Sequence, residues 1–126
     1  MKLKVADLYG LDEALTDLSN KELKISTALT VKRNLTKIAD ELRPINDIRT
    51  DLINKHKDSV DGNMVQIKSN EQEEFYKKYN DLMNQEVDIN LDEINLSDLA
   101  DENIKVKPKT LKLLEPILRE GDDHAE

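Results

Sequence analysis

The chain contains no cysteine, and this absence limits both its covalent structure and its chemistry. Without cysteine there is no disulfide, no thiol nucleophile and no thiolate metal site. No apolar run approaches the roughly 18 residues that a membrane-spanning helix needs, and the amino-terminal segment has no signal-peptide core. We therefore expect a cytoplasmic protein with no membrane partner.

Glycine and aromatic residues are also scarce. The 126 residues include three glycines, which are not grouped, one phenylalanine, three tyrosines and no tryptophan. Ungrouped glycines exclude a glycine-rich phosphate loop. Few aromatic side chains predict a thin core, which would gain stability in an oligomer.

The charges are numerous and unevenly distributed. The net charge of −8 argues against a nucleic-acid partner, because phosphate contacts need a basic surface. Residues 21–37 carry five bases and one acid, whereas residues 86–102 carry seven acids and no base. These segments are interpreted as solvated faces that pair within the molecule or between subunits. The alternative is an acidic surface that mimics nucleic acid.

From residue 28 to residue 56, mainly apolar residues recur at steps of three and four. This spacing predicts one long helix packed along another. This heptad seam consists of Ala28, Val31, Leu35, Ile38, Leu42, Ile45, Arg49, Leu52 and His56. We expect Ser26 or Thr27 to cap the helix, which should continue to about Asp58. Because the seam stays in phase across Pro44, the proline is expected to bend the helix rather than divide it.

Shorter elements flank the long helix. An amphipathic helix is predicted over 7–19, a second over 69–85 and a last one from Pro108, while residues 1–5, 64–67, 87–91 and 104–106 alternate as strands do. The fold class is therefore mainly α (α+β), a long antiparallel helical hairpin with a small antiparallel β element. We predict a single domain over residues 1–120 and a disordered acidic tail over 121–126.

The predicted hairpin leaves part of the long helix uncovered. If the helices over 28–56 and 69–85 pair outward from their connecting turn, the shorter one covers only the carboxy-terminal half of the longer one. The remaining seam needs cover from the first helix, from a second subunit, or from both. It forms the predicted oligomer or partner interface, which consists of Ala28, Val31, Leu35 and Ile38.

Arg49 is a charged residue at a seam position where an aliphatic residue is usual. One interpretation is structural: its stem lies on the core, its guanidinium stacks on Tyr79, and an acid such as Asp81 or Glu86 pairs with it. The other is a ligand site, in which the guanidinium binds an anion. The predicted ligand-binding residues are then Arg43, Arg49, Tyr76 and Tyr79.

No pattern of residues indicates catalysis, a resident metal or a cofactor. His56 is interpreted as a half-exposed residue beside the helix dipole, and the acidic segment around His124 as a solvated terminus. Asp58, Asp61 and Asn63 do not have the spacing of a calcium loop. We predict no enzyme and no cofactor; a weak metal-dependent hydrolase is kept only because carboxylates are abundant.

Several segments resemble a family of small helical proteins without assigned function, encoded by phages and prophages of Gram-positive bacteria. The resembling segments are MKLKVADL at 1–8, LTVKRNL at 29–35, INDIR at 45–49, INLSDL at 94–99 and LKLLEPI at 111–117. The resemblance implies a phage origin and expression in the cytoplasm of the infected bacterium. It assigns no functional residue.

The resulting prediction is a non-enzymatic phage accessory protein that acts by binding, in the form of a homo-oligomer. We expect it to inhibit a host defence system, either by sequestering a small nucleotide signal or by capturing a defence protein. By analogy, phages encode many small acidic binding proteins with such roles. The alternative is a morphogenesis chaperone or minor structural protein that acts through helix–helix contacts.

Overall fold

Helices dominate the computed structural model, which describes residues 1–61, 64–100 and 104–120. In chain order the elements are β1 Lys2–Lys4, α1 Val5–Ser19, α2 Ile25–His56, β2 Lys57–Asp61, β3 Met64–Ile67, α3 Gln72–Met83, β4 Glu86–Asp88, β5 Ile94–Asn95, α4 Pro108–Leu114 and β6 Leu118–Arg119. The predicted mainly α fold with a helical hairpin and a small antiparallel sheet is confirmed. Residues 62–63 and 101–103 and the predicted tail 121–126 lie outside the described residues.

Helix α2 is one uninterrupted helix of 32 residues that contains Pro44. The proline removes one backbone donor, but the packed residues on both sides keep the chain helical. The predicted hydroxyl cap is wrong, because the N-cap residue is Lys24 and no side chain caps this end. Among the described helices, none is both long enough and apolar enough to cross a membrane.

The main hairpin of the core is formed by α1 and α2, which are joined by residues 20–24. Helix α1 buries one complete apolar face, made of Val5, Leu8, Leu11, Ala14, Leu15 and Leu18. It packs on Val31, Ile38 and Leu42 of α2. Burial of leucine side chains at 1.5–3 kcal/mol each, as a rough figure, makes this contact the largest stabilising region of the chain.

Helix α4 covers the other side of α1. As predicted, Pro108 occupies the first turn of this helix. Gly10 lets the two helices approach closely, since a Cβ at that position would lie 3.0 Å from Leu113 Cδ2. The hydroxyl of Thr110 donates a hydrogen bond of 3.0 Å to Asp17 of α1.

The strands form short two-stranded pairs. β1 pairs antiparallel with β4, which places Leu3 opposite Val87, and β2 pairs antiparallel with β3. β5 and β6 pair in parallel, which alternation alone did not reveal because each has only two residues. The predicted strand at Ile104 and Val106 is wrong: both side chains are half-buried, but the segment has no paired strand in the described chain.

The segment between β4 and β5 is held on α2 by a side chain instead of a strand. Asn34 is fully buried, and its amide donates to the carbonyl oxygen of Asp92 and accepts from the Asp92 N–H, both at 2.9 Å. Lys37 Nζ donates to the carbonyl oxygen of Asn90 at 2.9 Å. The side-chain amide thus satisfies backbone groups that a neighbouring strand would otherwise pair.

Candidate binding face on helix α2

The amino-terminal half of α2 has a second apolar face, which points to solvent. We call it the exposed face of α2, and it consists of Ile25, Ala28, Leu29, Lys32, Leu35 and Ala39. At 100° per residue these positions fall within an arc of about 120°. They are opposite, or beside, the face that packs on α1, because α1 and its neighbours contact only one side of α2.

Large apolar side chains on this face are open to solvent. Ile25 is 85% exposed and Leu29 is 44% exposed. Leu35 is half-buried, while Ala28 and Ala39 are exposed. Contiguous exposed apolar surface on a small protein typically marks an interaction site, because single scattered residues do not form such a stripe.

A cavity of about 390 Å³ borders the face. Its walls come from α2, from the end of α1 and from the connection between them, and they consist of Ser19, Lys21, Leu23, Ala28, Val31, Lys32 and Leu35. Leu23 and Leu35 are only half-buried there. The cavity is therefore an apolar recess beside the helix, with lysine side chains among its walls.

The charges around the exposed face are mainly positive. Lys24 pairs with Asp98 at 2.6 Å, and Lys21 lies 3.8 Å from Asp17. In the described part of the chain, neither Lys32 nor Arg33 has a carboxylate within ion-pair distance, and both are exposed. The face thus presents two cations that are not neutralised by a described residue.

The predicted interface residues divide between the core and the surface. Ala28 and Leu35 belong to the exposed face. The predicted interface is corrected at Val31 and Ile38. These side chains are about 1% and 0% exposed and pack in the core with the leucines of α1. Ile38 therefore offers no surface to a partner, and Val31 contributes only to the wall of the recess.

The predicted ligand-binding arginines do not converge. Arg49 lies six positions after Arg43, so their side chains leave α2 about 120° apart. Arg43 is exposed and pairs with Asp40 at 2.9 Å. The guanidinium of Arg49 lies 5.5 Å from the ring centre of Tyr9, not on Tyr79 as the sequence suggested, since α1 packs along α2 and brings Tyr9 to it.

The predicted ligand-binding tyrosines surround Phe75 of α3. Tyr79 stacks on Phe75 with ring centres 5.8 Å apart, and Tyr76 contacts it edge-on at 5.4 Å. Tyr76 is exposed and Tyr79 is half-buried. The two rings belong to an aromatic cluster around Phe75, and among the described residues no hydrogen bond or cation–π pair joins them to the two arginines.

His56 closes the same aromatic cluster from α2. It is 1% exposed, which corrects the expectation of a half-exposed helix end. Its Nδ1 lies 2.8 Å from Glu71 Oε1, its ring contacts Phe75 edge-on at 5.9 Å, and its Nε2 has no hydrogen-bond partner among the described residues. The ring fills the end of the α2–α3 contact, as a packed residue does.

Sequence reasoning missed four members of the exposed face: Ile25, Leu29, Lys32 and Ala39. The signal is present, since positions 25, 28, 32, 35 and 39 also follow steps of three and four. It was hidden because the longer heptad seam shares Ala28 and Leu35 and continues through 56. Two overlapping heptad registers on one helix indicate two faces, each suited to pack against a neighbouring helix.

Comparison with known proteins adds no relative: no family model matches the chain, and neither a curated protein nor a solved structure is detectably similar to it.

Proposed function

We propose that this chain is a non-enzymatic phage accessory protein that acts by binding another protein through the exposed face of α2. The observation that carries the proposal is the apolar stripe from Ile25 to Ala39, whose side chains, apart from half-buried Leu35, are open to solvent in the described structure. Its heptad spacing is the pattern by which a helix recognises another helix. The phage origin comes from the sequence resemblance, and inhibition of a host defence protein is the role we favour.

Between the two routes of inhibition, the geometry favours capture of a protein over sequestration of a nucleotide. A nucleotide site needs cationic and stacking groups that converge on one cavity. Here Arg49 lies on Tyr9 and Arg43 on Asp40, while Tyr76 and Tyr79 pack around Phe75. The exposed face, by contrast, combines apolar area with a recess and with charge.

The alternative function, a morphogenesis chaperone or minor structural protein, would use the same helical face. The two functions differ in where the protein is found. A structural role requires the chain in purified virions or in complexes with tail or capsid subunits, whereas an accessory role requires it free in the infected cell.

Native mass spectrometry tests the proposed function directly. The tagged chain is purified gently from a Gram-positive host, together with Leu29→Glu and Ala39→Glu, which place a charge on the exposed face without touching the core. We expect the wild type to retain a protein of defined mass and both variants to lose it. Ile48→Glu is the matched control, because Ile48 is an exposed apolar residue of α2 outside this face.

Two outcomes contradict the proposal. One is a bound molecule of nucleotide mass, lost on Arg49→Ala but retained by Leu29→Glu, which would restore the sequestration route. The other is equal partner retention by all four chains, which would move the binding surface away from the exposed face of α2.

A further inference from the structure

We propose that the partner of the exposed face of α2 is an acidic amphipathic helix. This inference rests on the proposed function, since it names the chemistry of the partner at the same face. It is drawn from three features: the spacing of the apolar positions, the recess beside them, and the charge around them.

The spacing and size of the face fit a helix. From Ile25 to Ala39 the face is roughly 21 Å long, which corresponds to about four turns of a partner helix. Ala28 and Ala39 are small, so a second helix axis can approach α2 closely at both positions. The cavity of about 390 Å³ beside Ala28 and Leu35 offers room for apolar side chains of that helix.

The charge around the face selects an acidic partner. Residues 21–37 carry five bases and one acid. Of these bases, Lys21 and Lys24 already pair with Asp17 and Asp98, and Lys37 donates to a carbonyl oxygen. Lys32 and Arg33 keep their charge toward solvent, one within the stripe and one at its edge. Carboxylates on a docked helix would pair with Lys32 within the stripe and with Arg33 beside it.

The same charges argue against a second copy of this chain as the occupant. An antiparallel pair centred on Lys32 brings the Lys32 side chains of the two copies together, and a parallel pair in register also places like charges opposite each other. Such juxtaposition opposes association and costs affinity. A nucleotide is also a poor occupant, because the face contains no aromatic ring on which a base would stack.

Two synthetic helical peptides of about 18 residues test the inference. They share leucine at the heptad positions and differ only in their flanking residues, which are glutamate in one peptide and lysine in the other. Fluorescence anisotropy measures binding to the wild type and to the double variant Lys32→Glu/Arg33→Glu. We expect the wild type to bind the acidic peptide at least about tenfold more tightly than the basic one, with the difference shrinking as salt rises.

In the double variant the preference should reverse, and Leu29→Glu should weaken binding of both peptides. Equal affinity of the two peptides for the wild type, or no measurable binding of the acidic peptide, overturns the acidic-helix inference. The proposed function survives that result if Leu29→Glu still releases the native partner in mass spectrometry. A dimer of the unliganded chain that dissociates in Leu29→Glu also overturns the inference, since a second copy then occupies the face.

Discussion

The two halves of α2 follow the same heptad periodicity but bury different chemistry. The amino-terminal half packs Val31 and Ile38 against the leucines of α1 and also buries the polar side chains of Thr27 and Asn34. The carboxy-terminal half ends with the buried imidazole of His56 against the ring of Phe75. One helix therefore passes from a core made mainly of aliphatic side chains to a contact that contains an imidazole and an aromatic ring.

The difference arises from the covering helices. Helix α1 has six buried residues, whereas Phe75 is the only buried residue of α3. Arg49 lies between these regions, with its guanidinium over Tyr9 and its Nε buried without a hydrogen-bond partner among the described residues. Periodicity thus indicates which side of a helix is covered, and the residue types at the covered positions indicate how apolar the cover is.

The largest expected effect is in the aliphatic half. Leu15→Ala removes a fully buried side chain. We expect the free energy of unfolding to fall by about 2–5 kcal/mol, because both the transfer energy and the packing contacts of the leucine are lost. Denaturant unfolding measures it. The control is Ile48→Ala, at a residue of α2 that is 55% exposed. It should change the free energy of unfolding by less than about 0.5 kcal/mol.

Comparable losses for Leu15→Ala and Ile48→Ala would contradict the assignment of the core to the α1–α2 contact.

A smaller and more local effect is expected in the other half. His56→Ala removes a buried ring and leaves the Glu71 carboxylate without its partner at Nδ1. We expect the free energy of unfolding to fall by about 2 kcal/mol. The backbone N–H of Lys68 donates to the carbonyl oxygen of His56, so the loss should be concentrated near this contact. Hydrogen exchange of the Lys68 amide should accelerate, while the amides of α1 stay protected.

Uniform acceleration across α1 and α3 after His56→Ala would show that the two halves unfold as one cooperative unit, which would remove the energetic distinction between them. His56→Gln, which keeps a polar group at this position, separates loss of the Glu71 contact from loss of the ring volume.

The smallest expected effect is at the surface of α3. The hydrogen bond and charge of Lys78, with Nζ 2.8 Å from the carboxylate, hold the pKa of Glu74 below its ordinary value, and the same pair raises the pKa of Lys78. A lowered carboxyl pKa stabilises the fold above the ordinary titration range and loses this contribution as the pH falls through the lowered pKa.

We therefore expect Glu74→Gln to lower the unfolding midpoint slightly near neutral pH and to leave it unchanged in strong acid. The pair is exposed, so salt should also remove the shift. Midpoints measured at neutral and acidic pH, with and without salt, check this. A shift that persists in acid would mean that the glutamine changes packing rather than charge.

Local sequence patterns predicted the helices well and also predicted β1, β3 and β4, but they missed β2, β5 and β6. The leucines of α1, the long run of α2 and the proline at the start of α4 were recognised because each repeats over several turns or has a restricted backbone. β5 and β6 escaped because a two-residue strand has no measurable alternation. The capping residue of α2 was misassigned since Lys24, which carries no capping oxygen, occupies that position.

The candidate site was only half predictable. Ala28 and Leu35 were recognised as surface candidates from the heptad seam, but Val31 and Ile38 proved to belong to the core. A heptad pattern shows that a face is apolar and does not show which neighbour covers it, because that depends on the direction in which α1 returns along α2. The exposed face became visible only after the covered one was known.

The amino-acid sequence by itself determined the fold class of this protein. Helix periodicity, the absence of cysteine and the charge distribution are properties of the chain, and each acts through local geometry or composition alone. Only the tertiary structure decided which of two overlapping heptad registers on α2 is buried, that Arg49 lies on Tyr9, and that His56 is enclosed. These outcomes depend on contacts between residues far apart in the chain, whose packing energies no local pattern contains.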